Sequence, residues 1–182
     1  NNFFKILENK IDKRKKIVLC TFHSETKIPL KENMKNLINL INNLLKLRVN
    51  IVFTYPNRDH GYKEIISILK KFENKKKIII IKNLGVYNYY QFLKYSDLLI
   101  GNSSSGIIES GHFKIPTINI GNRQQGRIKN KNTINCKFDT KDILKKTKKF
   151  LKAKKKDFKY KDIYRFKSSS KKIINLICKS IY

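Results

Sequence analysis

Five short apolar runs decide what this chain can become: Ile17-Val18-Leu19-Cys20, Ile51-Val52-Phe53, Ile78-Ile79-Ile80-Ile81, Leu98-Leu99-Ile100 and Thr117-Ile118-Asn119-Ile120. As a set they suit strands buried on both faces, not the half-exposed strands of an open antiparallel sheet. Between them apolar residues recur at helical spacing. Met34, Leu37, Ile38, Ile41, Leu44 and Leu45 form one stripe, and Ile65, Ile68, Leu69 and Phe72 form another. Tyr89 to Tyr95 and Ser104 to Phe113 are also helix-like. Strand and helix in alternation predict a parallel sheet with right-handed crossovers, an α/β fold of the doubly wound kind. A sixth strand is expected around Thr133 to Phe138.

Residues 1–16 are expected to be a helical lead-in and residues 17–165 one α/β domain. Residues 166–182 follow as a terminal segment whose helix is marked by Ile173, Ile174, Ile177 and Ile181, after a loop from Phe166 to Ser170. A preceding helix carries Ile143, Leu144, Phe150 and Leu151. There is no internal repeat and no Pro/Gly/Ser linker, and 182 residues suffice for one good core. The first residue is Asn1 rather than Met, so the chain is expected to be a fragment of something longer.

No apolar run approaches the length that crosses a bilayer, and no charged and apolar pair of regions marks a secretory signal. Cys20, Cys136 and Cys178 are odd in number and widely spaced, which fits reduced cysteines of a cytoplasmic protein rather than disulfides or a metal site. No metal, cofactor or membrane partner is expected. The formal charge of +29 comes almost wholly from Lys and accompanies an excess of Asn and Ile, the signature of AT-rich codons. A nucleic-acid binder would gather Arg and aromatic residues on one face. Here Lys is spread widely and is densest from Lys141 to Lys161, so a solvated basic face is expected, with no specific nucleic-acid partner. Weak, salt-sensitive binding of polyanions follows from the charge alone.

In a doubly wound sheet, ligands sit beyond the carboxyl ends of the strands, near the reversal of strand order. Every distinctive loop of this chain lies at such an end. Thr21 to Thr26 follow the first strand, Thr54 to Asp59 the second, and Lys82-Asn83-Leu84-Gly85 the third. After the fourth comes Gly101-Asn102-Ser103-Ser104-Ser105-Gly106-Ile107-Ile108-Glu109, and after the fifth Gly121 to Arg127. The opposite rim consists of Lys/Asn-rich turns.

The serine loop carries the most chemistry. The first amides of a helix lack internal partners and face an anion with the positive end of the helix dipole. Ser103, Ser104 and Ser105 can cap such a helix and hydrogen-bond an anion, and Gly106 is expected to let a ligand approach the backbone. Glu109 is unsuited to phosphate but can accept hydrogen bonds from ribose hydroxyls, so the pattern points to a nucleoside diphosphate. His23 at the end of the first strand is placed to face that ligand, whose charge would favour the imidazolium. Arg123 stands out in a chain that overwhelmingly uses Lys, as a planar bidentate donor would, and Arg127 shares the argument with less support. Asn57 after Pro56 serves a turn or a ligand equally well, and His60 and His112 are expected to cap or pack. The serine spacing is not that of a G-x-S-x-G elbow, and neither G-x-G-x-x-G nor a Walker lysine follows any strand.

With these loops in place, the chain from Ile17 onward resembles the C-terminal half of the hydrolysing UDP-N-acetylglucosamine 2-epimerases of sialic-acid-type sugar biosynthesis. The resemblance rests on Phe53-Thr54-Tyr55-Pro56-Asn57, on Gly101 to Glu109, and on Ile115 to Arg127. It implies a Rossmann-like domain that forms half of a GT-B fold, with substrate held in the cleft and the last helix crossing back to the first domain. It also implies that His23 is the catalytic histidine at the diphosphate, that Ser103 and Ser104 bind phosphate, and that Glu109 binds ribose. Asn57 and Arg123 would be further UDP contacts, and Leu84 a main-chain contact to the base. Arg123-Gln124-Gln125-Gly126-Arg127 resembles the hydrolysing branch rather than the non-hydrolysing one.

Two departures stand out: Ser24 follows the loop histidine where the family usually has Pro, and the N-terminal domain with its acidic residues is missing. The resemblance therefore implies the UDP-binding half of an enzyme that is inactive alone, homo-oligomeric when complete, and acting on UDP-GlcNAc or a related UDP-sugar. The alternatives are a non-catalytic nucleotide-sugar-binding module, half of a GT-B glycosyltransferase, and a basic polyanion binder.

Overall fold

The computed structural model describes residues 2–8, 10–82, 84–165 and 168–181. Asn83 of the third loop, and Phe166 and Lys167 of the loop expected before the last helix, lie outside the described residues. After α1 (Asn2–Leu7), the elements run β1 (Lys16–Thr21), α2 (Leu30–Leu45), β2 (Val49–Thr54), α3 (Tyr62–Asn74), β3 (Ile79–Ile81) and α4 (Gly85–Tyr95). They continue as β4 (Leu98–Gly101), α5 (Ser105–Ile108), β5 (Thr117–Ile120), β6 (Thr133–Cys136), α6 (Thr140–Lys152) and α7 (Ser169–Ile181).

All adjacent strands pair in parallel, in the order β3-β2-β1-β4-β5-β6. The order reverses between β1 and β4, where Thr21 lies opposite Gly101 at the carboxyl ends. That is the switch point at which doubly wound sheets bind ligands.

The apolar runs work as two-faced strands. Val18, Cys20, Ile51, Phe53, Leu98 and Ile100 join a core with α2, α3 and α6, through residues such as Leu40, Leu69 and Phe150. Their neighbours Ile17, Leu19, Val52 and Leu99 turn to the other face and pack with Leu7, Phe92, Leu93 and Ile115. Alternate residues thus feed opposite layers, as the pleat demands.

Several boundaries differ from expectation. The lead-in is helical only over Asn2–Leu7, β3 begins at Ile79, β6 ends at Cys136, and α4 begins four residues ahead of Tyr89 at Gly85. The helix expected from Ser104 to Phe113 is the single turn of α5. Ser110 ends it: its hydroxyl donates to the Gly106 carbonyl at 2.9 Å and lies 3.2 Å from Thr133 Oγ1, tying the chain to β6. Lys114, at φ 51°, then reverses the backbone into β5.

At the other end of the chain, α7 buries none of its side chains, and Ile173, Ile174, Leu176, Ile177 and Ile181 are 51–69% exposed. Among the described residues, no helix is long and apolar enough to cross a membrane.

Candidate functional site

Gly101 closes β4 with φ 149°, and a Cβ there would lie 1.8 Å from the Thr21 carbonyl oxygen. Only glycine permits this close approach of the β1 and β4 ends. Asn102, fully buried, then accepts from the His23 N–H at 2.8 Å and donates to the His23 carbonyl at 2.7 Å. The Asn102 carbonyl accepts from Arg123 Nη1 at 3.2 Å and from Gln124 Nε2 at 2.9 Å. Glu25 braces the same rim, its carboxylate accepting from the Asn122 N–H at 3.0 Å. The loops after β1, β4 and β5 are therefore fastened to one another.

Two cavities open on this rim. One, of about 320 Å³, is lined by His23, by Tyr55 and Asn57 after β2, by Leu84 and Gly85 at the start of α4, and by Tyr89, Ser103 and Ser105. The other, of about 510 Å³, is lined by Ser24, Asp59, His60 and Ser104, with Arg123, Gln124 and Arg127 from the loop after β5. Consecutive residues of the same loops, His23 and Ser24 or Ser103 and Ser104, open to different cavities.

The serine loop presents donors in an unexpected place. The amides of Gly106, Ile107 and Ile108 are taken up by the carbonyls of Ser103 and Ser104, at 2.8–3.2 Å. The short α5 thus leaves none of these first-turn amides for an anion. Among the described residues, nothing accepts from the amides of Ser103 and Ser104, which precede the helix. Gly106 also differs from expectation: it faces the sheet, where a Cβ would lie 3.0 Å from Thr117 Cγ2 and 3.7 Å from Leu99 Cδ2. Its size serves packing of α5, and it lines neither cavity.

Ser105 Oγ lies 2.5 Å from the Tyr89 hydroxyl. Burial above all, with the nearby Glu109 carboxylate, raises the Tyr89 pKa against the lowering effect of that hydrogen bond, so the phenol stays protonated. Glu109 itself caps the end of α5, half-buried, and its Oε2 is buried without a hydrogen-bond partner among the described residues. It lies near enough to Tyr89 to raise that phenol's pKa, but it lines neither cavity.

His23 is buried, and its Nδ1 is 3.4 Å from Asp59 Oδ2 without hydrogen-bond alignment. Burial first, and then the Arg123 charge, push its pKa down to about 4 despite the opposing pull of Asp59, so the free site holds a neutral imidazole. Asp59 Oδ2 also accepts from Arg123 Nη2 at 3.4 Å. Sequence reasoning gave no site role to Asp59, Tyr89 or Gln124, although Asp59 and Gln124 lie in loops that it singled out. His60, expected to cap or pack, lines the second cavity, whereas His112 pairs with Asp162 at 2.9 Å. No cluster of metal-binding side chains occurs among the described residues.

A six-stranded doubly wound sheet with cavities at its switch point is an α/β domain of the kind that GT-B enzymes build. Residues 2–178 match the family model described as UDP-N-acetylglucosamine 2-epimerase, and the chain belongs to that family. It is 39% identical over 145 residues to the GDP/UDP-N,N'-diacetylbacillosamine 2-epimerase (hydrolyzing) of Campylobacter jejuni, covering 76% of this chain and 36% of that protein. Over 94 residues it is 34% identical to the UDP-N-acetylglucosamine 2-epimerase of Neisseria meningitidis, covering 52% of this chain and 25% of that one. The matched segments thus cover only about a third and a quarter of these relatives' length. The UDP-GlcNAc 2-epimerase of Methanocaldococcus jannaschii, solved with UDP-GlcNAc and UDP, superposes with a TM-score of 0.73 at 19% identity, over 98% of this chain and 49% of that one. An Escherichia coli ADP-heptose heptosyltransferase shares the fold less closely, at a TM-score of 0.56 and 10% identity, over 82% of this chain and 50% of that one.

Proposed function

We propose that this chain is the UDP-binding half of a hydrolysing 2-epimerase acting on UDP-GlcNAc or a diacetamido relative. The observation that carries the reading is the cavity pair at the β1/β4 switch point. His23 and Ser103 line one cavity and Ser104 and Arg123 the other, and the amides of Ser103 and Ser104 are unpartnered among the described residues. Such donors suit a diphosphate. Leu84 and Asn57 line the first cavity and would meet the base, and the unpartnered Glu109 oxygen would meet the ribose.

In the complete enzyme, a base removes the C2 proton as the C1–O bond breaks, and UDP departs with the bonding electrons. Water then adds to the resulting double bond, giving N-acetylmannosamine from UDP-GlcNAc. Negative charge grows on the departing diphosphate, so donors already aimed at it lower the barrier. His23 takes up a proton as that charge arrives, and Arg123 supplies a fixed cation. General acid/base groups must lie within hydrogen-bond reach of C2, and the described residues offer no carboxylate pair at the cavities for that work. We assign that work to a further domain, toward which the exposed apolar face of α7 would pack. On this reading the chain alone binds UDP and does not turn over.

The Arg123-Gln124-Gln125-Gly126-Arg127 segment and the 39% identity to a hydrolysing relative favour hydrolysis over simple epimerisation. The test is to assay UDP release from UDP-GlcNAc and from UDP-N,N'-diacetylbacillosamine, with and without a relative's N-terminal domain. Release only when both halves are present supports the reading, and binding without release in any combination favours a non-catalytic module.

A further inference from the structure

Asp59 has no part in the reading above, yet it stands between the His23 imidazole and the Arg123 guanidinium. Its Oδ2 is 3.4 Å from His23 Nδ1 and 3.4 Å from Arg123 Nη2. The three side chains come from the loops after β1, β2 and β5, and nothing in local sequence requires them to meet. The Arg123 guanidinium is held on its other side by the Asn102 carbonyl. The His23 backbone is fixed by the Asn102 side chain. Asp59 thus supplies a polar contact to the imidazole ring, which the backbone clamp does not hold.

We propose that Asp59 is a positioning residue of this site: it turns His23 Nδ1 toward itself and steadies Arg123, so that both side chains address a diphosphate. This rests on the UDP-binding reading. With Nδ1 turned to Asp59, Nε2 is the ring nitrogen left for the cavity that His23 lines. A carboxylate beside the ring stabilises the imidazolium, offsetting the burial and the Arg123 charge that keep His23 neutral in the free site. Asp59 and Arg123 are the charged groups facing the ring, while His60 and Arg127 line the adjoining cavity. Asp59 is itself 47% exposed, so water screens much of its repulsion toward an incoming anion.

The sign of one substitution separates positioning from bystander electrostatics. Removing a negative charge beside an anion site should tighten anion binding if charge is all that matters. Positioning predicts the reverse. The experiment titrates UDP into the wild-type chain and into Asp59→Asn and Asp59→Glu by calorimetry at pH 7. It also follows the imidazole resonances of the same chains by NMR against pH, with His23 assigned through His23→Gln. The expected result is roughly tenfold weaker UDP binding in Asp59→Asn, with partial recovery in Asp59→Glu. The His23 pKa should fall below that of the wild type in Asp59→Asn. Wild-type binding with equal or tighter binding by Asp59→Asn overturns this proposal alone. Absence of UDP binding by the wild-type chain overturns the nucleotide reading and this proposal together.

Discussion

The Asn102 side chain grips the His23 backbone in both directions, at 2.8 and 2.7 Å, just past the last paired residues of β1 and β4. It continues the β1–β4 pairing by one side-chain rung where the backbones part to form the site. Replacing it by Ala leaves a buried donor and a buried acceptor unpaired, at a cost of about 3 kcal/mol. Urea denaturation of Asn102→Ala should show that loss, and UDP affinity should fall with it because the His23 and Ser103 loops lose their common anchor. Stability within 1 kcal/mol of the wild type would show that the anchor is dispensable.

Burial of a neutral imidazole makes the fold sensitive to acid. The His23 pKa is about 4 in the folded chain against 6.5 when exposed, so the unfolded chain binds the proton first as pH falls. The contribution to stability is full above pH 6.5 and is lost progressively down to about pH 4, up to about 3 kcal/mol. The stability difference between the wild type and His23→Gln should therefore change across that window and flatten above it. Parallel stability–pH curves for the two proteins would refute the assignment.

Two glycines of the serine loop should behave differently. Gly101→Ala drives a methyl group into the Thr21 carbonyl at a left-handed φ, which nothing nearby can relieve. It should cost more than about 3 kcal/mol or prevent folding, as read by circular dichroism and yield. Gly106→Ala is tight only against the Thr117 methyl, at 3.0 Å, with an ordinary contact to Leu99 at 3.7 Å, and a side chain can shift. A loss of about 1 kcal/mol with UDP binding retained is expected, and lost binding in a folded Gly106→Ala would return Gly106 to the ligand-binding set.

The sheet was legible because both-face burial demands apolar runs that few other structures need, and Ile17 to Cys20 or Leu98 to Ile100 leave little choice. The helix after β4 was not. The stretch from Ser104 to Phe113 reads as helix-like, but Ser110 donates its hydroxyl to Gly106 and sits beside Thr133, a partner 23 residues away. Of the site, Ser103, Asn57, Leu84 and His23 were legible as loop residues at strand ends, and the structure brings them to one cavity. Asp59 was not, because its meaning comes from Arg123, 64 positions later. Gly106 was misread for the same kind of reason, since its neighbour Thr117 belongs to the next strand. Tertiary proximity, not local pattern, assigns these three.

Glu109 offers the most direct test of the account. An unpartnered, buried carboxylate oxygen costs the free domain stability, and the account holds that a ribose hydroxyl repays that cost. Because the chain carries a net charge of +29, calorimetric titration with UDP should be run in moderately high salt to suppress unspecific anion binding. The account predicts saturable 1:1 binding to the wild type, and roughly tenfold weaker binding to a Glu109→Ala chain that melts no lower than the wild type. UDP binding that vanishes with salt, or that is the same in both proteins, would contradict it.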